Sequence, residues 1–398
     1  MVGHSLPKQA ANLEKNVQTP NKNVIFALIS QKIMPVLEKI VISDFRNIEL
    51  QELEFSPNVN CISGNNGEGK TNLLDAIYYL SMTKSAFATS DKFNFRHGSD
   101  EFSLSGTYRM ESGLASRFSM KISSKGEKKL KRDDKPYNKV SEHVGALPIV
   151  MVSPADISMV SESGEERRRF VNAVLSQMDR EYMSAMQQYN RLLLQRNKML
   201  KEMNPDRSLL EVIDMRMSSF AEPIYNARKK FVEDLKPIVA QYYKEVSGGS
   251  ELVDIEYDSE LSKASLDMLF EASYEKDRIM KFTTSGIQRD DFIFTMNGHP
   301  IRRYGSQGQQ KSFLVSLKFA QYEIMKRNYG FAPILLLDDV FDKLDMGRIS
   351  NLLQMVASND FGQIFITDSN KVRMSGIVDR LTQDRAYYET VSGTFARL

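Results

Sequence analysis

The sequence predicts an α/β fold in which a mixed β-sheet carries flanking helices and a mainly α-helical arm is inserted into the chain. A glycine-rich loop at 64–71 follows an apolar strand and precedes an amphipathic helix. A second apolar strand at 334–337 ends in two aspartates. Between these strands, residues 165–246 carry apolar side chains at helical spacing. The strand-forming segments therefore lie toward both ends of the chain, with a helical block between them.

The length, composition, net charge and cysteine content of the chain indicate its broad class. The 398 residues are enough for two or three domains, and 41% apolar with 26% charged residues is typical of a globular protein. The net charge of +2 argues neither for nor against nucleic acid, so any DNA contact has to come from local patches. One cysteine, Cys61, excludes a disulfide framework and fits a reducing cytoplasm. No run approaches the ~20 apolar residues that span a bilayer, so we predict no membrane association.

The predicted domain organisation has four parts. Residues 1–33 are interpreted as a flexible leader, and Met34 is either the true start or follows a lineage-specific extension. A head domain made of both ends of the chain is expected from 34–154 together with 283–398, because both stretches are rich in strand patterns. The helical arm is expected over 155–282.

The N-terminal part of the sequence predicts short strands, one helix and a hairpin. Residues 36–62 predict three short strands broken near Asn47 and Pro57, and the segment KTNLLDAIYYLSM predicts the following helix. Residues 102–123 alternate as a hairpin. The lysine-rich segment at 121–140 is either a solvated β-hairpin or an edge that contacts phosphates.

The arm and the C-terminal elements follow. Two helical segments, Glu165–Met203 and Leu209–Val246, are expected to pack together, with Pro223 and Pro237 kinking or splitting the second one. Their apolar stripe predicts core rather than a cofactor site. The triplet at 167–169 is either a salt-bridged face or a DNA contact. Further on, the sequence predicts a strand at 252–257, a helix at 265–282, a hairpin FIFTM-NG-HPIRRY and a helix after YGSQGQQK.

The stretch GNNGEGKT fits the phosphate-binding pattern G-x-x-x-x-G-K-[ST] at every fixed position. Its glycines let backbone N–H groups surround phosphates at a helix N-terminus. We expect Lys70 to reach the β- and γ-phosphates of ATP and Thr71 to bind Mg²⁺. The predicted nucleotide contacts in this loop are Gly64, Asn65, Asn66, Gly67, Glu68, Gly69, Lys70, Thr71 and Asn72.

Two acids close the second apolar strand, PILLLDD. Such strand ends form the ligand-binding edge of open α/β sheets. Asp338 is predicted to hold Mg²⁺, and Asp339 to orient or deprotonate the attacking water; a helix cap is the structural alternative. The predicted catalytic residues are thus Lys70, Asp338 and Asp339.

A second anion site is predicted where YGSQGQQK begins a helix. One chain would then carry two phosphate sites and one phosphate-binding loop. A dimer resolves this, because the second site of each copy can close on the nucleotide of the other.

The stretch SQGQQ resembles the signature motif of ABC-type ATPases, and the order of loop, signature, acidic strand and KLD is the ABC order. From Met34 onward the chain resembles the RecF family of recombination and gap-repair ATPases. The stretches that carry the resemblance are LEKIVISDFRNIE, GNNGEGKTNLLDAIYYLS, VMVSPADISMV, GEERRRFVNAVLSQMDREY, YNRLLLQRNKML, SGIQRDDF, GSQGQQKSFLVSLKFAQ and PILLLDDVFDKLD. The resemblance implies an SMC-like, ABC-type head with short helical arms.

The resemblance also implies site residues. In the signature loop, the nucleotide contacts implied are Ser306, Gln307, Gly308 and Gln309, with Ser306 and Gly308 on the γ-phosphate of a second copy. Lys311 would support this loop and Asp345 would lie at the dimer seam. Arg46 and Asn47 would lie near the base or ribose.

Some positions depart from the family pattern. GPHRDD reads GIQRDD here, which puts a role for Gln288 in doubt, and no switch histidine follows the strand QIFIT. A Q-loop glutamine is absent from 147–156, so Ser153 or Asp156 is the candidate to line the site instead.

The function implied is recombinational and replication-gap repair by a weak DNA-stimulated ATPase. ATP-driven homodimers would clamp double-stranded DNA near gapped or single-stranded DNA, with RecR as direct partner and RecO and RecA downstream, in the nucleoid of the cytoplasm. A transporter ATPase subunit is disfavoured, because a short loop-to-signature span and the switch histidine are lacking. An ATP-binding scaffold or switch with negligible turnover stays open. Scattered histidines and the lack of a G-x-S-x-G elbow argue against zinc and serine chemistry.

Overall fold

The computed structural model describes residues 34–110, 112–162, 164–203, 205–249, 251–342, 344–358, 361–370, 376 and 382–398. The predicted leader at 1–33 lies outside these residues, as does Lys343 of the KLD stretch. Within the described ranges, none of the helices has both the length and the apolar character to cross a membrane.

The β-strands, in chain order, are β1 Val36–Phe45, β2 Ile48–Glu54, β3 Val59–Ser63, β4 Glu101–Arg109, β5 Ala115–Ser123, β6 Lys128–Arg132, β7 Lys135–Pro136, β8 Ile149–Val152, β9 Val253–Asp258, β10 Asp291–Met296, β11 His299–Pro300, β12 Ile334–Asp338, β13 Ile364–Asp368, β14 Arg385–Val391 and β15 Thr394–Arg397. The α-helices are α1 Lys70–Met82, α2 Ser158–Ser161, α3 Gly164–Met178, α4 Arg180–Met199, α5 Arg207–Ser247, α6 Leu266–Met280, α7 Ile301–Tyr304, α8 Gln307–Tyr329 and α9 Met346–Ser358.

The central sheet has the strand order β15-β14-β3-β13-β12-β8. Its strands pair in parallel except for the antiparallel edge strand β15. Successive residues of β12 face opposite cores: Leu335 and Leu337 lie in one cluster, and Ile334 and Leu336 in the other. A parallel strand buried on both faces reads as a continuous apolar run, as this one does. The carboxyl ends of β3, β12 and β13 meet at one edge of the sheet.

Helix α1 lies between the central sheet and a second sheet. The second sheet is antiparallel, with the order β2-β1-β4-β5-β6-β7. Leu73, Ile77 and Leu80 of α1 share one core with Phe102 of the antiparallel sheet and Leu336 of the central sheet. The three strands, the helix and the hairpin predicted for the N-terminal part are confirmed. The strand β6, next to the edge strand β7, buries Leu130 and exposes the two lysines that flank it, so the lysine-rich segment is a solvated hairpin. DNA contact there stays a prediction.

The two predicted helical segments of the arm do pack together, but the first one consists of two helices, α3 and α4, which Asp179 separates, and it is mainly α4 that packs on α5. The prediction that prolines would kink or split the second segment is wrong about a split, because α5 runs unbroken for 41 residues through Pro223 and Pro237. Both prolines are exposed and lie fourteen positions apart on the same side of the helix. Water can satisfy the carbonyl groups that lose their intrahelical partners there, so the helix continues.

A small three-stranded sheet, β11-β10-β9, joins residues on both sides of position 282, where the arm boundary was predicted. The boundary itself stays a prediction. The hairpin predicted around Asn297-Gly298 is present, but its return strand is only two residues long. The rest of that segment forms α7, and Gly305 then separates α7 from α8.

Candidate functional site

The phosphate-binding loop connects β3 to α1, as the sequence predicts. Gly67 and Gly69 have φ values of 85° and 115°, which favour glycine, and Gly69 is the N-terminal cap of α1. The Lys70 ammonium donates to the carbonyl oxygens of Gly64 at 2.7 Å and Asn65 at 3.0 Å. Since an ammonium has three protons, one is left to point at a phosphate while the other two hold the loop.

The two predicted acids lie against this loop. The Thr71 hydroxyl donates to Asp338, with Oγ1 2.9 Å from Oδ2 and 3.1 Å from Oδ1. Burial raises the pKa of the Asp338 carboxyl, and hydrogen bonds from Thr367 and Thr71 oppose that rise. Burial likewise raises the pKa of Asp339, with Lys70 acting in the opposite direction and Asp368 adding to the rise.

A cavity of about 300 Å³ lies between the loop and the acids. Its lining consists of Asn66, Gly67, Gly69, Lys70, Thr71, Asn72 and Asp339. Asp338 joins it through Thr71. The structure therefore brings together the loop residues and both acids named from the sequence, while their individual roles stay predictions.

The residues at this cavity fit Mg²⁺. The hydroxyl of Thr71 and the carboxylate of Asp338 are hard oxygen donors within hydrogen-bonding distance of each other. Among the described residues, no three His, Cys, Asp or Glu side chains lie close enough to hold a metal by themselves. In nucleotide sites, Mg²⁺ is commonly bound through one or two protein oxygens and the phosphates of the substrate.

Arg46 and Asn47 lie beside the loop, and their expected contact with the base or ribose stays a prediction. The Arg46 guanidinium forms an ion pair with buried Asp75 at 2.7 Å and donates to Asn72 at 3.0 Å. Asn47 accepts from the Asn72 amide at 2.7 Å. A second cavity of about 460 Å³ adjoins Arg46 and is lined by Phe87, Ala88, Thr89 and Phe93 as well. Sequence reasoning missed the two aromatic residues of this cavity, Phe87 and Phe93. The available signal was an aromatic residue, Phe93, in a polar segment, and the structure leaves its side chain 70% exposed.

The C-terminal hairpin also holds the loop, which the sequence analysis did not predict. The carbonyl oxygen of Glu68 accepts from the Gly393 N–H at 2.8 Å, the Thr390 hydroxyl at 3.1 Å and the Asn47 amide at 3.3 Å. The Glu68 carboxylate accepts from the Ser392 N–H. The turn dipeptide Ser-Gly between alternating residues in ETVSGTFAR was the available signal.

The signature loop lies elsewhere on the chain. Ser306 caps α8 in a reciprocal pair with Gln309, and its side chain is exposed. No residue of 306–309 lines either of the two cavities described above. Lys311 connects the two regions, because its ammonium donates to the carbonyl oxygens of Asp339 and Asp342. Asp345 is exposed and pairs with Arg348 at 3.2 Å.

Several candidates have structural partners instead. Ser153 and Asp156 form a capping box, and Asp156 pairs with Lys318 at 3.0 Å. Neither residue is part of the cavity lining, so the structure gives no support to either as a Q-loop substitute. Gln288 accepts a hydrogen bond from Tyr189 at 2.5 Å.

The arginine triplet at 167–169 has internal partners as well. Arg167 is buried and pairs with Asp291 at 2.8 Å, and Arg168 donates to the carbonyl oxygen of Asp290 at 2.7 Å. Arg169 pairs with two glutamates of its own helix. The salt-bridged alternative is therefore the one that the structure favours.

Comparison with known proteins identifies the family. The chain matches the model of the RecF/RecN/SMC N terminal domain over residues 36–387. It is 42% identical to the DNA replication and repair protein RecF of Parabacteroides distasonis over 358 residues, which cover 90% of this chain and 98% of that protein. The chain belongs to the RecF family. The RecF protein of Porphyromonas gingivalis is 40% identical over 90% of this chain and 99% of its own length.

Solved structures agree with the RecF assignment. The recombination mediator protein RecF-ATP in the RecFOR pathway superposes with a TM-score of 0.83 at 29% identity, covering 92% of this chain and 98% of that one. An Smc head domain from Pyrococcus furiosus superposes with a TM-score of 0.55 at 15% identity, over 92% of this chain and 96% of that one, which shows the shared fold alone. The predicted RecF membership and ABC-type head are thus confirmed, and this RecF-family chain is a DNA replication and repair protein.

Proposed function

We propose that this RecF-family protein binds ATP and Mg²⁺, hydrolyses ATP slowly, and uses ATP binding to join two copies around duplex DNA beside a single-strand gap. Hydrolysis to ADP and phosphate opens the dimer and releases the DNA. Support comes from the cavity between the phosphate-binding loop and the acids, and from the likeness to a RecF structure that contains ATP.

One observation carries the dimer. Ser306 at the start of α8 is exposed and does not line the chain's own cavity, so the N-terminus of this helix can meet the nucleotide of a second copy. Lys311 ties the same helix to the backbone beside Asp339. In the dimer, a phosphate bound in one copy would contact α8 of the other copy. Lys311 of that helix would then link this phosphate to the backbone beside Asp339 of its own copy.

Each residue of the cavity has a separate role in the proposed reaction. Lys70 neutralises charge on the γ-phosphoryl group, and Asp339 orients or deprotonates the attacking water. Burial raises the pKa of Asp339, which makes its carboxylate a stronger base than an exposed one. Thr71 and Asp338 would hold Mg²⁺, which when bound neutralises charge on the phosphate oxygens. Arg46, Asn47 and the aromatic cavity beside them would receive the ribose and base.

The DNA surface is proposed on the lysine-rich hairpin at 121–135 and on the arm. Lys129, Lys131 and Lys135 are exposed there, and contacts to phosphates would carry little sequence readout. The RecFOR setting of the related structure supports RecR as direct partner, with RecO and RecA downstream at the nucleoid in the cytoplasm.

ATP turnover per chain, measured against protein concentration with and without gapped duplex DNA, tests the proposal. We expect turnover per chain to rise with concentration and with DNA, and the DNA affinity to fall steeply as salt is added. Turnover that is flat with concentration and indifferent to DNA would contradict the clamp. Nucleotide-dependent dimers without turnover would instead favour the scaffold alternative.

A further inference from the structure

The strand β13 lies between the loop strand β3 and the acidic strand β12. Its register places Thr367 beside Asp338 on one side and Ile62 on the other. Thr367 is completely buried. A hydroxyl group at this position therefore has to find its hydrogen-bond partners among the neighbouring strands.

The Thr367 hydroxyl contacts both acids. It donates to Asp338 Oδ1 at 2.7 Å, and it accepts from the backbone N–H of Asp339 at 3.0 Å. A hydroxyl has one proton, so the donor bond to Asp338 uses its whole donor capacity. The carboxylate of Asp338 is thus held from two sides, by Thr367 and by Thr71.

The contact to Asp339 is made where the backbone is strained. Asp339 has a φ of 42°, a left-handed conformation that is unfavourable for a residue with a Cβ atom. Its N–H bond to Thr367 fixes the start of this turn, and the Asp339 side chain lines the cavity. Without that bond the turn can relax, because the N–H then has to find another acceptor.

We propose that Thr367 is a positioning residue that sets the orientation of both acids toward Mg²⁺ and the attacking water. This inference rests on the proposed function of the cavity. Residues that orient metal ligands through hydrogen bonds change metal affinity or activity by about 10- to 100-fold when they are replaced. The loop that holds the phosphates does not depend on Thr367, because Lys70 and the glycines have their own partners.

The test compares variants that differ in the hydroxyl. Thr367→Val removes it and keeps the side-chain shape, and Thr367→Ser restores it. Thr367→Ala paired with Thr367→Ser repeats the comparison if the valine variant does not fold. Thr284→Val is the matched control, since the buried Thr284 hydroxyl also donates to a carboxylate, that of Asp277 at 2.6 Å, in a part of the chain outside the cavity.

A fluorescent ATP analogue is titrated into each variant with and without Mg²⁺, and ATP turnover is followed. For Thr367→Val we expect a metal-free nucleotide affinity within about twofold of wild type, a Mg²⁺ requirement raised about tenfold or more, and turnover reduced by about 10- to 100-fold. Thr367→Ser and Thr284→Val should resemble wild type.

Three results would overturn the inference: an unchanged Mg²⁺ requirement in the valine and alanine variants, a serine variant as defective as they are, or an equal defect in Thr284→Val. If wild type binds no nucleotide at all, the proposed function fails, and this inference fails with it.

Discussion

Replacing Gly393 by alanine should weaken nucleotide binding, and the effect can be worked out from two glycines that share a conformation. Gly393 and Gly298 occupy hairpin turns with φ values of 80° and 77°. A Cβ atom costs about 1–2 kcal/mol in this left-handed region, so both alanine variants should lose that much stability. The surroundings differ: a Cβ at 298 meets nothing within 4 Å, whereas one at 393 would lie 2.3 Å from the Asn47 carbonyl oxygen.

The Asn47 carbonyl would have to retreat by about 1 Å to reach an ordinary contact distance of ~3.5 Å. The Asn47 side chain would then lose its hydrogen bonds to the Glu68 carbonyl oxygen and the Asn72 amide, each of which contributes about 1 kcal/mol to the stability of the loop. Nucleotide binding would then have to order the phosphate-binding loop again, and this ordering costs binding free energy. About 2 kcal/mol in binding corresponds to roughly 30-fold weaker nucleotide affinity for Gly393→Ala.

Titration with a fluorescent ATP analogue and thermal unfolding, run side by side, separate the two effects. Gly298→Ala should show the loss of stability with the affinity of wild type, and Gly393→Ala should show both losses. Equal affinities in the two variants would refute the reasoning, since they would mean that the C-terminal turn does not order the loop.

Three other predictions address the site and the fold. Lys70→Met should abolish ATP binding, because a cation for the phosphates is lost; the exposed Lys129→Met is the control, and normal affinity in Lys70→Met would count against the site. Ser306→Arg should still bind ATP but fail to dimerise in light scattering, so a normal dimer would rule out the cross-subunit contact. Burial lowers the pKa of His143 below its usual 6.5. Because only the unfolded chain then takes up the proton, the free energy of unfolding should fall below pH 6.5 by up to about 1.4 kcal/mol per pH unit, and His143→Gln should remove that dependence in urea titrations.

The parts of the site that were predictable are local in sequence. The strand, glycine loop and helix around Lys70 are consecutive, and the acids of β12 directly follow an apolar run, so residue type and spacing predict their structure. Family resemblance added Arg46 and Asn47. The structure places Lys70, Thr71 and Asp339 around one cavity, and the roles of all these residues stay predictions.

The parts that were missed depend on strand order. Thr367 and Gly393 act on the loop and the acids only because β13 and β14 pair on either side of β3, and no local pattern encodes that neighbourhood. The sequence likewise could not decide whether Arg167 forms a salt bridge or contacts DNA, because its partner Asp291 lies more than 100 residues away in sequence. Pro223 was misjudged because its effect on the helix depends on whether water reaches the backbone there.

The neighbours of β3 also have a consequence for biosynthesis. Both strands that flank β3 come from the last part of the chain, about 300 residues after β3 itself. At about 5–20 residues per second, the ribosome needs roughly 15–60 s to deliver them. Throughout that interval the apolar strand before the phosphate-binding loop has neither of its final partners, and an unpaired apolar strand is prone to aggregate. A nascent chain of this protein should therefore depend on chaperones until β13 and β14 have emerged, and ATP can become a stabilising ligand only after that point.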